Sequence, residues 1–81
     1  MGDIADRVRY EMTGGGVRTE IFGSSKLILE GGEGIIEYTE ERIGFRCGRQ
    51  QIWISGRNLR ILRMEVDGAV ISGKIEEVTF R

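Results

Sequence analysis

The sequence predicts an all-β domain: a small antiparallel meander closing into a sandwich or partly open barrel of about seven to eight short strands, with a short N-terminal helix. Three observations carry that prediction. Apolar residues come in short runs with a period of two. Glycine, 13 of the 81 residues, punctuates those runs. A motif occurs twice, as Ile54-Ser55-Gly56-Arg57 and Ile71-Ser72-Gly73-Lys74. Each copy reads as a strand tail, a glycine and a cation.

In chain order, the first element is the helix. Ile4, Val8 and Met12 are spaced by four, and Asp3 is an N-cap residue. The span 3–12 makes a helix too short to stand alone, so it must dock. Its own sheet is the favoured cover, with a partner or a membrane surface as the alternative. Gly14-Gly15-Gly16 ends it as a joint.

Strands are then expected near 18–22, 26–30, 34–39, 42–47, 51–55, 58–66, 69–72 and 74–80. With proline absent, Gly, Asn, Asp and Ser must make the turns. Ser55-Gly56-Arg57-Asn58 reads as a two-residue hairpin that pairs Ile54 with Leu59 and Trp53 with Arg60. Gly48 to Gln51 closes Cys47 on Ile52, pairing Phe45 with Ile54 and Arg46 with Trp53. Thr39 to Arg42 closes Tyr38 on Ile43, pairing Ile36 with Phe45 and Ile35 with Arg46. Gly32-Glu33 closes a hairpin that sets Leu29 against Ile36. Asp67-Gly68 makes another, setting Met64 against Ile71.

These registers agree on one buried face: Leu27, Leu29, Ile36, Tyr38, Ile43, Phe45, Cys47, Ile52, Ile54, Leu59 and Ile61. The inward phase slips between Ile61 and Leu62, which predicts a β-bulge there. Gly73 marks a second bend, and Val78 and Phe80 return to the core. In the first strand either Ile21 or Phe22 faces inward.

Composition narrows the function. The chain is one domain, small enough to hide only about 60% of its unfolded surface. Its net charge of −1 gives no general pull toward DNA or acidic membranes. No run approaches a membrane span, and no signal-peptide core is present. One cysteine, Cys47, cannot form an internal disulfide and favours a reducing compartment. The chain has no histidine, which removes the commonest general base and metal ligand. Cys/His zinc sites within one chain are excluded with it. The glycine-rich stretches match neither a P-loop nor a dinucleotide fingerprint. No nucleophile has a base beside it, and the acid pairs Glu40-Glu41 and Glu76-Glu77 point to opposite strand faces. No catalytic, cofactor-binding or metal-ligating residue is therefore assigned, and the chain reads as a non-enzyme.

Charge is segregated along the chain. Residues 30–41 hold five acids and no base; residues 42–63 hold six arginines and no acid. The expected register sets Glu30, Ile35, Arg46, Trp53 and Arg60 in one outer row, with Trp53 between two arginines. That row, Trp53 with Arg46, Arg60 and Ile35, is the candidate interaction site. It serves either as cross-strand stabilisation by cation–π contact or as a protein interface anchored on Trp and Arg. Single-stranded nucleic acid, read by stacking on Trp53, is the weaker alternative.

The order Ile21-Phe22-Gly23, Leu27 to Glu30, Gly34-Ile35-Ile36-Glu37-Tyr38, Ile43, Ile52 to Ile61 and Val70 to Phe80 resembles the YabP/YqfC family of endospore sporulation proteins. The likeness spans about three quarters of the chain and is closer to the YqfC branch, on length and on the Gly-Ile-x-Glu-Tyr segment. Two departures are Gly31, where asparagine is common, and the proline-free N-terminal segment. The resemblance implies a mother-cell protein needed for spore formation, with no established activity, no cofactor and no catalytic residues. It also implies a membrane-protein partner and a place in the cytoplasm, peripheral at the forespore membrane. Unpaired edge strands add homo-oligomerisation as a further expectation.

Overall fold

A computed structural model describes residues 7–12 and 17–81. It contains β1 (Arg7–Met12), β2 (Val17–Phe22), β3 (Lys26–Glu30), β4 (Gly34–Tyr38), β5 (Arg42–Cys47), β6 (Gln50–Glu65) and β7 (Gly68–Phe80). The strands form one open antiparallel sheet in the order β1-β2-β3-β7-β6-β5-β4. The all-β expectation therefore holds.

The N-terminal helix does not form over 7–12. Those residues pair with β2, Val8 against Ile21 and Met12 against Val17. Val8, Tyr10 and Met12 fit a period of two as well as a helical one, and β-branched and aromatic residues favour the strand. Residues 3–6 and the Gly14–Gly16 joint lie outside the described residues.

The long hairpin of β6 and β7 organises the rest. The expected hairpin at Ser55–Asn58 is absent, and β6 runs straight through it against β7. β7 passes so close to Gly56 that a side chain there would collide with the backbone carbonyl of Lys74. The ladder shifts register at Ser55/Gly56 and again between Arg57 and Arg60. Asn58 has φ +54° and Gly73, facing it, has φ +130°. The two copies of the repeated motif thus meet in the middle of the hairpin and bend it there. A Cβ on Gly73 would lie 2.6 Å from the Asn58 carbonyl oxygen.

On one side of this bend β6 pairs with β5, from Ser55 against Arg42 to Gln50 against Cys47. On the other side β7 pairs with β3, from Gly68 against Glu30 to Ser72 against Lys26. Turns clamp the bend. Gly56 and Leu59 donate N–H bonds to the carbonyls of Glu41 and Glu40, at 3.0 and 2.8 Å. Ile75 and Gly73 donate to those of Ser24 and Ser25, at 2.7 and 3.3 Å.

Four further registers differ or agree. Tyr38 pairs with Ile43 as expected. A bulge at Ile36 then sets Ile35, not Ile36, against Phe45. The β5–β6 turn is only Gly48-Arg49, Gly48 taking φ +67°, so Phe45 meets Ile52 rather than Ile54. No β3–β4 hairpin forms. Gly31 and Gly32 donate N–H bonds to the Asp67 carbonyl instead, which turns the chain away from β3. The β6–β7 hairpin is present, but it closes on Val66-Asp67 and sets Met64 against Ala69. The slip foreseen after Ile61 appears as a register shift between Ile61 and Arg63.

The core joins both sides of the bend. Leu27, Leu29, Ile43, Phe45, Cys47, Ile52, Ile54, Leu59, Ala69, Ile71 and Ile75 form one buried cluster, with Ile21, Ile61, Val78 and Phe80 packed against it. Ile21, not Phe22, is thus the inward residue of β2. Two expected core residues are exposed, Ile36 at 39% and Tyr38 at 50%. Both sit on β4, an outer strand of the sheet with no neighbour beyond it.

Candidate functional site

The row expected around Trp53 is not built. Arg46 faces Gly34 and Gln51, Arg60 faces Ser72, and Ile35 faces Phe45. Glu30 faces Arg18 and Gly68, while Trp53 faces Gly44 and Thr79. None of the five is opposite another. The row depended on a hairpin at Gly56 and on a four-residue loop after Cys47, and neither exists.

Trp53 does point away from the core, since Ile52 and Ile54 on either side point in. It is nevertheless only 7% exposed. Gly44 leaves room for the indole. The guanidinium carbons of Arg42 and Arg81 lie 4.7 and 5.1 Å from its ring centroid. Its N–H donates to Gln51 Oε1 at 2.9 Å. Arg42 is itself held by Glu37 at 3.0 Å. Trp53 therefore sits between two arginines, but they are Arg42 and Arg81, and they close the ring off. The arrangement is the cross-strand stabilisation that aromatic and cationic neighbours provide.

Exposed apolar surface gathers elsewhere. Among the described residues the exposed large hydrophobics are Ile35, Ile36 and Tyr38 on β4, and Leu62, Met64 and Val66 in and beyond the second half of β6. These two segments have no strand on their outer sides. They flank a seam. At one end the Tyr38 hydroxyl accepts the Ile61 N–H at 2.9 Å. At the other, Gly34 and Met64 line one small cavity together with Leu29 and Phe45. Ile35 and Tyr38 are opposite buried Phe45 and Ile43, and Met64 is opposite buried Ala69. These three side chains therefore face the core side of the sheet and remain open because no neighbouring strand covers them.

Of the residues singled out from sequence, only Ile35 lies in this seam; Arg60 is on its border. The exposure of Leu62, Met64 and Val66 was not legible. The phase slip after Ile61 foretold a bulge, not that the strand beyond it lacks an outer neighbour.

Cys47 is buried, and burial, with the charge of Glu33 added, pushes its thiol upward from the ordinary range. A protonated, covered thiol is a poor nucleophile. Among the described residues no three of His, Cys, Asp and Glu are grouped to hold a metal ion.

The family model of the YabP family matches residues 16–81. The chain belongs to the YabP family. Membership suggests a sporulation-related protein. No curated protein and no solved structure matches this YabP-family chain at a significant level. The matched span takes in β2 to β7 and so includes both walls of the seam.

Proposed function

We propose that this YabP-family chain is a non-enzymatic sporulation protein, an interaction and assembly module of the mother cell. Its partner is a membrane protein of sporulation, which it meets from the cytoplasm at the forespore membrane. Its branch is the YqfC-like one. The carrying observation is the concentration of exposed large apolar side chains along the seam between β4 and the second half of β6. Apolar patches of that kind on a small domain mark contact surfaces. The nucleic-acid reading loses its motive, since Trp53 is covered by Arg42 and Arg81 and offers no free ring to a base.

The test is chemical crosslinking in sporulating cells. The wild-type chain should give an adduct with an integral membrane protein, and Leu62→Asp/Met64→Asp should lose it. Failure to find any membrane-protein adduct, or equal recovery from the double variant, would overturn the reading.

A further inference from the structure

We propose that β1 pairs with the β1 of a second copy, antiparallel and about a two-fold axis at Tyr10, so that two sheets become one. The contact lies at the opposite end of the sheet order from β4 and takes no residue from the seam.

The choice of edge follows from how each one is defended. Bulges interrupt β4 at Ile35/Glu37 and the second half of β6 at Ile61/Arg63. The N–H groups of Leu59 and Ile61 are already taken by the Glu40 carbonyl and the Tyr38 hydroxyl. The second half of β7 begins at a register shift opposite Gly56, and the N–H groups of Gly73 and Ile75 go to the carbonyls of Ser25 and Ser24. Such features blunt an edge. β1 has none of them. Its six residues pair with β2 one for one, with no register shift, no glycine and no proline. Among the described residues no strand lies beyond it. An unbroken edge of that kind is a template for main-chain pairing, because its outward N–H and C=O groups face no strand.

The sequence of β1 selects the partner and the register. It reads Arg7-Val8-Arg9-Tyr10-Glu11-Met12. Val8 and Tyr10 are opposite Ile21 and Thr19, which belong to the core side of the sheet, and Arg9 and Glu11 alternate with them. A two-fold pairing that keeps the two faces matched places one residue on the axis. An axis at Arg9 sets Arg9 on its own copy, and an axis at Glu11 does the same with Glu11. An axis at Tyr10 avoids both. It sets Arg9 opposite Glu11 of the second copy, twice, and Val8 opposite Met12, twice.

This register also continues a row that the chain already contains. Glu30 is opposite Arg18, at 3.6 Å, and Arg18 is opposite Glu11. Across the axis come Arg9 of the second copy and then Glu20, which is opposite it. Acid and base thus alternate over five neighbouring strands. Opposite charges facing each other across strands stabilise a pair, and like charges oppose it. The contact is isologous and occupies the β1 of both copies, so it stops at two chains.

Sedimentation equilibrium of the purified chain tests this. At micromolar concentration the mass should be twice the 9.1 kDa of one chain. Arg9→Glu and Glu11→Arg should each weaken association by roughly tenfold or more, because like charges then face each other across the axis. Mixed in equal amounts, the two variants should dimerise with one another. Leu62→Asp/Met64→Asp should dimerise as the wild type does. Cysteine probes read the register without changing the charge, and Cys47 is buried away from them. Under mild oxidation Tyr10→Cys should link to its own copy. Val8→Cys should not, since the two copies of that position lie about 13 Å apart along the strands. It should link instead to Met12→Cys. A chain that stays monomeric at millimolar concentration overturns the proposal. So does a dimer indifferent to both charge variants, a mixture of them that fails to pair, or self-linkage at Val8→Cys in place of Tyr10→Cys. Loss of the dimer in Leu62→Asp/Met64→Asp would move the contact to the seam and overturn the proposal as well.

Discussion

The indole of Trp53 occupies the space that a side chain on Gly44 would need. A Cβ there would lie 2.6–2.7 Å from three ring carbons. Gly44→Ala must therefore push the ring out from between Arg42 and Arg81. The expected cost is about 1–3 kcal/mol, the range for overpacking. Trp53 is the single tryptophan, so a red shift of its emission reports the displacement directly. An unchanged spectrum and melting temperature would remove the packing role assigned to the pair.

Gly56→Ala is expected to be worse. The obstacle is the Lys74 carbonyl, backbone against backbone, and no side-chain rotation relieves it. A loss of about 3 kcal/mol or more follows from the same overpacking argument. Urea denaturation of the two alanine variants side by side ranks them.

Tyr38→Phe removes the hydroxyl that accepts the Ile61 N–H. The bond is exposed, so water replaces it, and the cost should stay near 0.5–1 kcal/mol. Its local mark is sharper. Hydrogen exchange at the Ile61 amide should quicken, while amides of Ile52 and Ile54 keep their protection. Equal acceleration throughout would mean that the hydroxyl matters to the whole fold rather than to the seam.

Thr19 is fully buried, and its hydroxyl has no hydrogen-bond partner among the described residues. Thr19→Val keeps the branched shape that suits a strand and discards the unsatisfied group. A gain of about 1–2 kcal/mol is expected. A lower melting point for the valine variant would mean that the hydroxyl is in fact satisfied.

The raised thiol of Cys47 makes stability depend on alkaline pH. An unfolded thiol ionises at about 8.5, while the buried one holds its proton to higher pH. Between those values the unfolded state binds fewer protons than the native state. The contribution of Cys47 is complete below the unfolded value and is lost as pH rises through the folded one. Denaturation midpoints from pH 7 to pH 10 should therefore fall less steeply in Cys47→Ala than in the wild type. Parallel slopes would contradict this.

How far the sequence could be read follows from what its signals encode. Alternation placed Leu27, Leu29, Ile43, Phe45, Cys47, Ile52, Ile54 and Leu59 in the core, and all are buried. It survived a wrong register after Cys47 because the slip was by two residues, which keeps every side chain on its face. One glycine was misread for a physical reason. Gly48 makes a turn and Gly73 bends its strand, as expected, but β6 runs unbroken through Gly56. Local sequence does not distinguish a turn from a continuing strand at Gly56, because the choice depends on Lys74 lying opposite. The pairing of β3 with β7 joins residues some forty apart and left no local trace. The expected outer row around Trp53 was lost for the same cause. Whether Leu62 is exposed depends on which strand lacks a neighbour, and topology decides that.

The bent hairpin has a consequence for how this chain folds. Both β6 and β7 run through both sides of the bend, so neither side owns a complete set of strands. Cutting the chain between them would leave two fragments, each without part of its own core. Unfolding should be all-or-none, with core amides on β3 and β5 opening in the same event although β7 and β6 lie between them in the sheet. The Val66-Asp67 turn starts the hairpin that both sides await. Changes that slow its closure should therefore slow the appearance of the whole domain, rather than of one part of it.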